Sequence, residues 1–433
     1  MKRIFVCFIM LTLALLICAC QDGPNPSIGS TPSVQQEVSS KPSESINPTP
    51  PGPTLPENCD KGHTFLIGEL YCAVCGTDYY SATLHFELSE NGKYYSVVTN
   101  GNCKQTTIIV PETYNGLPVE EIVTLVTPES PLGPHRDVTH VVLHDSIKVI
   151  HDYAFAGYES LVSINIPDGI TRIEQGAFQG CQSLVSLKLP ESVTYIGDYA
   201  FGGCARLKDL QIPEGVTQFG ASAFSGCEAL EELRIPSEMT EIPQGLAAGC
   251  ASLRKVTYGK NVTTIGPNAF ADCVSLENFV IEDQVIAIGS FAFGGCKALK
   301  SIVIPDSVTT IGNAAFQECA LLTSIVIPDA VTKIEARTFY KCENLEYVVI
   351  GSGVKEFAHA VFDGCEKLKA VYYRGTQAQW EQIKITEGPP FVESTNPKFG
   401  DATNYFYSET APTEEGNFWH YVDGKPTPWK SEE

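Results

Sequence analysis

The chain reads as a repeat solenoid: 23-residue coils of short parallel strands, stacked in one array and capped at both ends. Three observations predict it. Cysteine recurs at Cys181, Cys204, Cys227, Cys250, Cys273, Cys296, Cys319, Cys342 and Cys365, each 23 residues after the last. Phenylalanine keeps the same step from Phe155 to Phe362 and misses one beat, at Ala247. Before each beat the pattern LxxIxIP returns, as in Leu299–Pro305, alternating apolar and other residues as a half-buried strand does.

The first element is a leader. The chain opens MKRIFVCFIMLTLALLICAC, with Lys2 and Arg3 ahead of an apolar run over 4–19. That run is short of the ~20 residues a membrane-spanning helix needs and reads as an export signal. A membrane anchor that stays on is the other reading. Ile17-Cys18-Ala19-Cys20 resembles the lipobox of bacterial lipoproteins. That resemblance implies that residues 1–19 are removed and that Cys20 is acylated. The protein would then be exported and held at the bacterial cell surface by lipid alone.

Residues 20–57 come next, rich in Pro, Ser, Thr and Gly and nearly free of large apolar side chains. Such a segment cannot bury a core and is expected to be a disordered tether. Residues 58–83 hold a small Cys/His module, CDKGHTFLIGELYCAVCG. Cys59, His63, Cys72 and Cys75 have the residue types and spacing for a tetrahedral zinc site. A Cys72–Cys75 or Cys59–Cys72 disulfide, or free thiols, are the alternatives. With four protein ligands the metal would staple the module and keep no open position for catalysis.

Ten repeats then fill 138–367 without an insertion, the first carrying Tyr158 at the cysteine position. LxxIxIP is a short strand, proline and an acid turn the chain, and VTxIG is a second extended piece. AFxxC turns again or makes a brief helix. One coil cannot bury its own apolar side, whereas a stack can, so Phe and Cys return to fill the interior.

This plan resembles the BspA-like leucine-rich repeats of bacterial surface proteins. In the leading segment, 84–137, Cys103 and Pro111 stand eight apart where Cys181 and Pro190 stand nine apart, and Val119 and Ile122 match Val193 and Ile196. It is similar to that family's leading cap with a degenerate repeat. Residues 368–433, with YYRGTQAQWEQIKI and NFWHYVDG, resemble its closing segment. The resemblance implies a binding protein, engaging a protein or extracellular-matrix partner in adhesion. A non-catalytic spacer and a glycan-binding protein are the alternatives.

The residues themselves say less about the ligand. A formal net charge of −22 repels phosphate backbones, which argues against a nucleic-acid partner. The array cysteines are expected to be reduced core residues. In LxxIxIP the residue between the two apolar ones should point outward. Down the stack that column ends in Val280, Val303, Val326, Val349 and Tyr372, beside Tyr347. An apolar strip on a surface marks contact. The alternatives are that valine merely suits strands, or that the aromatic closing segment covers the strip. Asp168, Glu191, Glu214, Asp306 and Asp329 read as solvated turn residues, and His140, His144 and His151 have no standard metal-ligand spacing. His420 matches the closing segment of the resembled family and is expected to be structural. No nucleophile elbow, HExxH or phosphate loop is present, so the chain is not expected to be an enzyme. Nothing in it demands an oligomer.

Overall fold

A computed structural model describes residues 84–99, 106–123, 137–386, 402–413 and 416–429. The leader, the tether and the Cys/His module lie outside these, and so does Cys103.

The coils stack with the 23-residue step. In the first ladder Ser186 pairs with Asp209, Ser324 with Tyr347, and Tyr347 with Ala370, all parallel. The second ladder is built from two-residue strands such as Thr264–Ile265 and Ala287–Ile288, again parallel and in register. The AFxxC stretch makes no helix. It runs in turns, and its amides bond coil to coil, as Phe178 N–H does to the Ala200 carbonyl at 2.8 Å and Phe201 N–H to Ala223 at 2.8 Å. The turn stretch bonds coil to coil along the array, while each ladder lapses between some neighbours, as between Asp209–Gln211 and Glu232–Arg234 in the first and between Gln218–Phe219 and Glu241–Ile242 in the second. Among the described residues the one helix is Gln377–Trp380, a single turn opened by a Thr376/Gln379 capping box.

This close stacking explains a glycine. A Cβ on Gly220 would lie 2.2 Å from the Asp198 amide nitrogen in the preceding coil, so the VTxIG glycine there leaves room for backbone. The turns have their own cost. Tyr199 and Phe291, two residues before their coils' Phe, sit at φ 52° and 56°. Left-handed backbone costs a non-glycine residue about 1 kcal/mol, which the coil-to-coil hydrogen bonds of the turn stretch must outweigh.

The interior is a set of columns. Phe rings stack on their counterparts with centroids 5.4–5.8 Å apart, in the runs 155–224 and 270–362. At the missed beat Ala247 is buried, and Leu246 stands where adjacent coils carry Ala223 and Ala269. Met239 likewise replaces Val216 and Val262, so side-chain volume moves to neighbouring positions of the same coil. The nine array cysteines are free thiols, as expected. Each Sγ donates to the carbonyl 26 residues earlier, from Cys181 to Phe155 through Cys365 to Phe339, at 3.1–3.3 Å.

At the N-terminal end Thr107–Ile109 joins the first ladder by pairing with His140–Val142, and Leu117–Ile122 joins the second through Val149–Ile150. The hairpin Leu84–Leu88/Tyr95–Thr99 adds to the latter, its second strand parallel to Leu117–Ile122. At the other end Thr403–Tyr407 pairs parallel with Ala370–Tyr373, followed by Phe418–Val422 and then an antiparallel Lys425–Pro428. The Asp423-Gly424 turn of that hairpin has positive φ at both residues, the arrangement two-residue hairpins favour.

Candidate binding face

The outward column points as the alternation requires. Val142, Asn165, Lys188, Gln211, Arg234, Thr257, Val280, Val303 and Val326 are all exposed. Along its valine part the exposure changes sharply: Val280 68%, Val303 79%, Val326 39%, then Val349 0% and Tyr372 8%. The closing segment causes the change. Trp419 is fully buried against Val349, Ala370 and Tyr372, with Tyr347 and Tyr405 packed around them. Its indole N–H donates to the Tyr373 carbonyl at 3.0 Å. Of the six residues expected to form a contact strip, Val280, Val303 and Val326 lie open, Tyr347 is half-buried, and Val349 and Tyr372 are core.

The first ladder is also interrupted here. In the coil at 253–259 the usual Ile-Pro becomes Tyr258-Gly259. The Tyr258 ring stacks on Phe279 at 5.7 Å, and its hydroxyl donates to the Val280 carbonyl at 2.9 Å and accepts from the Glu282 amide at 3.1 Å. A side chain thus occupies the place of strand pairing between Lys255–Thr257 and the next coil. Burial pushes its phenol up to about 12, so it stays protonated at physiological pH. Beyond it, the ladder reduces to one bridge, Asn278 to Ser301. On the other side of Tyr258 an open groove of about 520 Å³ is lined by Glu214, Glu232, Arg234, Lys255 and Tyr258 among others. The Tyr-Gly substitution is visible in the sequence as a break in LxxIxIP. Its consequence for the ladder needs the third dimension.

Acids border most of the column three residues beyond the outward position, with Ser237, Lys260 and Ser352 as the exceptions from Val142 to Val349. Glu214 forms an ion pair with Arg234 of the next coil at 2.5 Å, and Asp329 pairs with Arg374 at 3.4 Å. Elsewhere, Glu121 gathers a small polar cluster. Tyr94 and Ser96 hydroxyls donate to it at 2.8 and 2.9 Å, and His151 Nε2 lies 3.2 Å away. Burial works to raise its carboxyl, but these hydrogen bonds outweigh burial and lower it. Such bonding holds the N-terminal strands to the first coil.

Among the described residues no group of three or more His, Cys, Asp or Glu side chains is placed to hold a metal ion. His144 and His151 instead face Glu112 and Glu121. Cys20, Cys59, His63, Cys72 and Cys75 lie outside the described residues. No helix among the described residues is long and apolar enough to cross a membrane.

Register, turn plan and interior columns define a parallel β-solenoid of the leucine-rich repeat class. The family profile for the BspA type leucine rich repeat region matches six copies, over residues 148–277 and 263–382. The chain belongs to that family. Among solved structures it is similar to the pneumococcal vaccine antigen PcpA, at 17% identity over 76% of this chain and 92% of that one, with TM-score 0.52. It is also similar to a leucine rich cell surface protein from Faecalibacterium prausnitzii, at 25% identity over 71% and 97% of the two chains, TM-score 0.39. A leucine-rich repeat protein from Bacteroides ovatus matches at 21% identity over 75% and 98%, TM-score 0.41. The pneumococcal likeness supports the fold. No curated protein matches the chain.

Proposed function

We propose that this is an exported, non-enzymatic binding protein of the cell surface. It is lipid-anchored through Cys20 and engages a protein or matrix partner through Val280, Val303 and Val326, with adhesion as the outcome. One observation carries the reading: two adjacent valines in the middle of the array are 68% and 79% exposed, where apolar surface has no folding role. The leader and membership of the family support export. The anchor is tested by metabolic labelling with a fatty acid, which Cys20→Ser should abolish. A zinc ion on Cys59, His63, Cys72 and Cys75 would serve the small module and not the binding face. Zinc content measured by mass spectrometry, with and without Cys72→Ser, tests it.

The face is tested by capture from surface extracts on the immobilised full chain. Wild type is expected to retain a protein that Val303→Asp with Val326→Asp does not, while both melt alike by circular dichroism. Equal capture by both chains overturns the reading. The polar groove beside Tyr258 favours a second reading, glycan binding, because an aromatic ring among charged and hydroxyl groups suits a sugar. Binding on a glycan array that Arg234→Ala removes would support it over the first.

A further inference from the structure

We propose that the partner element on the open valine row is a cationic amphipathic helix laid along the array. Its apolar stripe rests on Val280, Val303 and Val326, and its lysines or arginines meet Asp283 and Asp306. This deepens the reading of the outward column as the binding face and rests on it.

Charge supplies the first argument. The row is asymmetric: neutral Asn278, Ser301 and Ser324 run along one flank, and Asp283, Asp306 and Asp329 stand three residues beyond each valine on the other. The molecule shows what such an acid does when a cation is near. Glu214, at the same position of an earlier coil, pairs with Arg234, which stands in the outward column of the next coil. A carboxylate there therefore reaches a cation held over the column. In the valine coils Val303 and Val326 occupy the places equivalent to Arg234 and bring no charge. Arg374 serves Asp329 and feels Asp306 only at longer range. Asp283 and Asp306 are exposed and have no ion-pair partner among the described residues. A partner's cations would fill the role that Arg234 and Arg374 fill at either end of the row.

Spacing supplies the second argument. Adjacent coils lie one parallel-strand spacing apart, about 4.8 Å, so three valines span about 9.6 Å. A helix rising about 1.5 Å per residue presents side chains at i, i+3 or i+4, and i+7 over about 10.5 Å. An extended chain laid the same way advances about 6.7 Å per outward residue and loses register after one coil. The stripe and the acid row therefore fit the two adjoining faces of one helix.

The test uses the full-length chain and two synthetic helical peptides of about 18 residues, five turns. Both carry leucine at i, i+3, i+4 and i+7. One carries lysine along a flank and the other glutamate. By fluorescence anisotropy the lysine peptide is expected to bind at least about tenfold tighter than the glutamate peptide, and more weakly in high salt. Asp283→Asn with Asp306→Asn should weaken it about tenfold, and so should Val280→Ser with Val303→Ser, with melting unchanged. The Asn pair moves the formal charge only from −22 to −20, so a loss of that size reports the site and not bulk attraction. No binding of the lysine peptide overturns the proposal. Equal binding of both peptides, lost in the Ser pair, overturns the cationic helix and leaves the valine face standing. Loss in the Asn pair but not in the Ser pair leaves only electrostatic attraction and overturns it. Lysine-peptide binding untouched by either pair overturns both the helix and the face.

Discussion

Val303 and Val349 occupy the same position of their coils, two coils apart, and end in opposite surroundings. Val303 is 79% exposed and Val349 is fully buried. Both point outward from the first ladder, because position in the repeat sets direction. What lies over them differs. Past Val349 the sheet continues through Thr403–Tyr407 and Phe418–Val422, and Trp419 turns back onto the column. A repeat thus fixes which way a side chain points, and the segment beyond the repeat fixes whether it meets solvent. The same valine is core at one end of the face and exposed surface in the middle.

Both regions stand on one interior, so the largest expected effect strikes them together. Burial raises the thiols of Cys181, Cys227, Cys250, Cys273, Cys296 and Cys319, with Cys250 at about 12. Cys342 is raised by the Cys365 thiol beside it and then by burial. In the unfolded chain these groups ionise near 8.5, while the folded chain keeps them protonated. Their contribution is therefore whole below about pH 8.5 and is lost as pH climbs toward the folded values, at about 1.4 kcal/mol per pH unit for each thiol. The circular dichroism melt should hold between about pH 6 and 8 and fall steeply by about pH 10. All three tryptophans, Trp380, Trp419 and Trp429, lie in the closing segment, so their fluorescence reports the covered end alone. Fluorescence and dichroism falling together would tie the covered end to the array. Fluorescence lost first would separate them, as nearest-neighbour coupling in repeat arrays permits.

A smaller effect separates the two valines directly. Trp419→Ala removes the side chain that buries Val349 and Tyr372, with its hydrogen bond to Tyr373, and should cost about 3–5 kcal/mol. Val349→Asp would place an unpaired carboxylate in the same cluster and should cost about as much. Denaturant melts followed by tryptophan fluorescence read both. A Val349→Asp chain as stable as wild type would show that the closing segment does not hold the column in solution.

The coil step, the outward column, the Phe stack and the reduced thiols were all legible in the sequence, because each follows from a position repeated every 23 residues. Legibility ended where the period did. Thr403 pairs with Ala370 at a step of 33 and Phe418 with Phe406 at a step of 12, so no register could place Trp419. The covering of Val349 and Tyr372 could be named only as an alternative. The groove beside Tyr258 was missed for the opposite reason. Tyr-Gly for Ile-Pro is a plain break in the pattern, but a hydroxyl reaching backbone 22 and 24 residues onward leaves no trace in composition or spacing.

The smallest effect on stability is expected where the effect on binding should be greatest. Val303→Asp adds a charge to a side chain already 79% in water, with no core neighbour to lose, so its melt should stay within about 0.5 kcal/mol of wild type. Val303→Asp and Val349→Asp make the same chemical change at the same repeat position. Only the second should disturb folding, and only the first should abolish capture while leaving the melt unchanged. A Val303→Asp chain that melts several degrees low would mean that something covers the open row in solution, and the contrast between the two valines would then collapse.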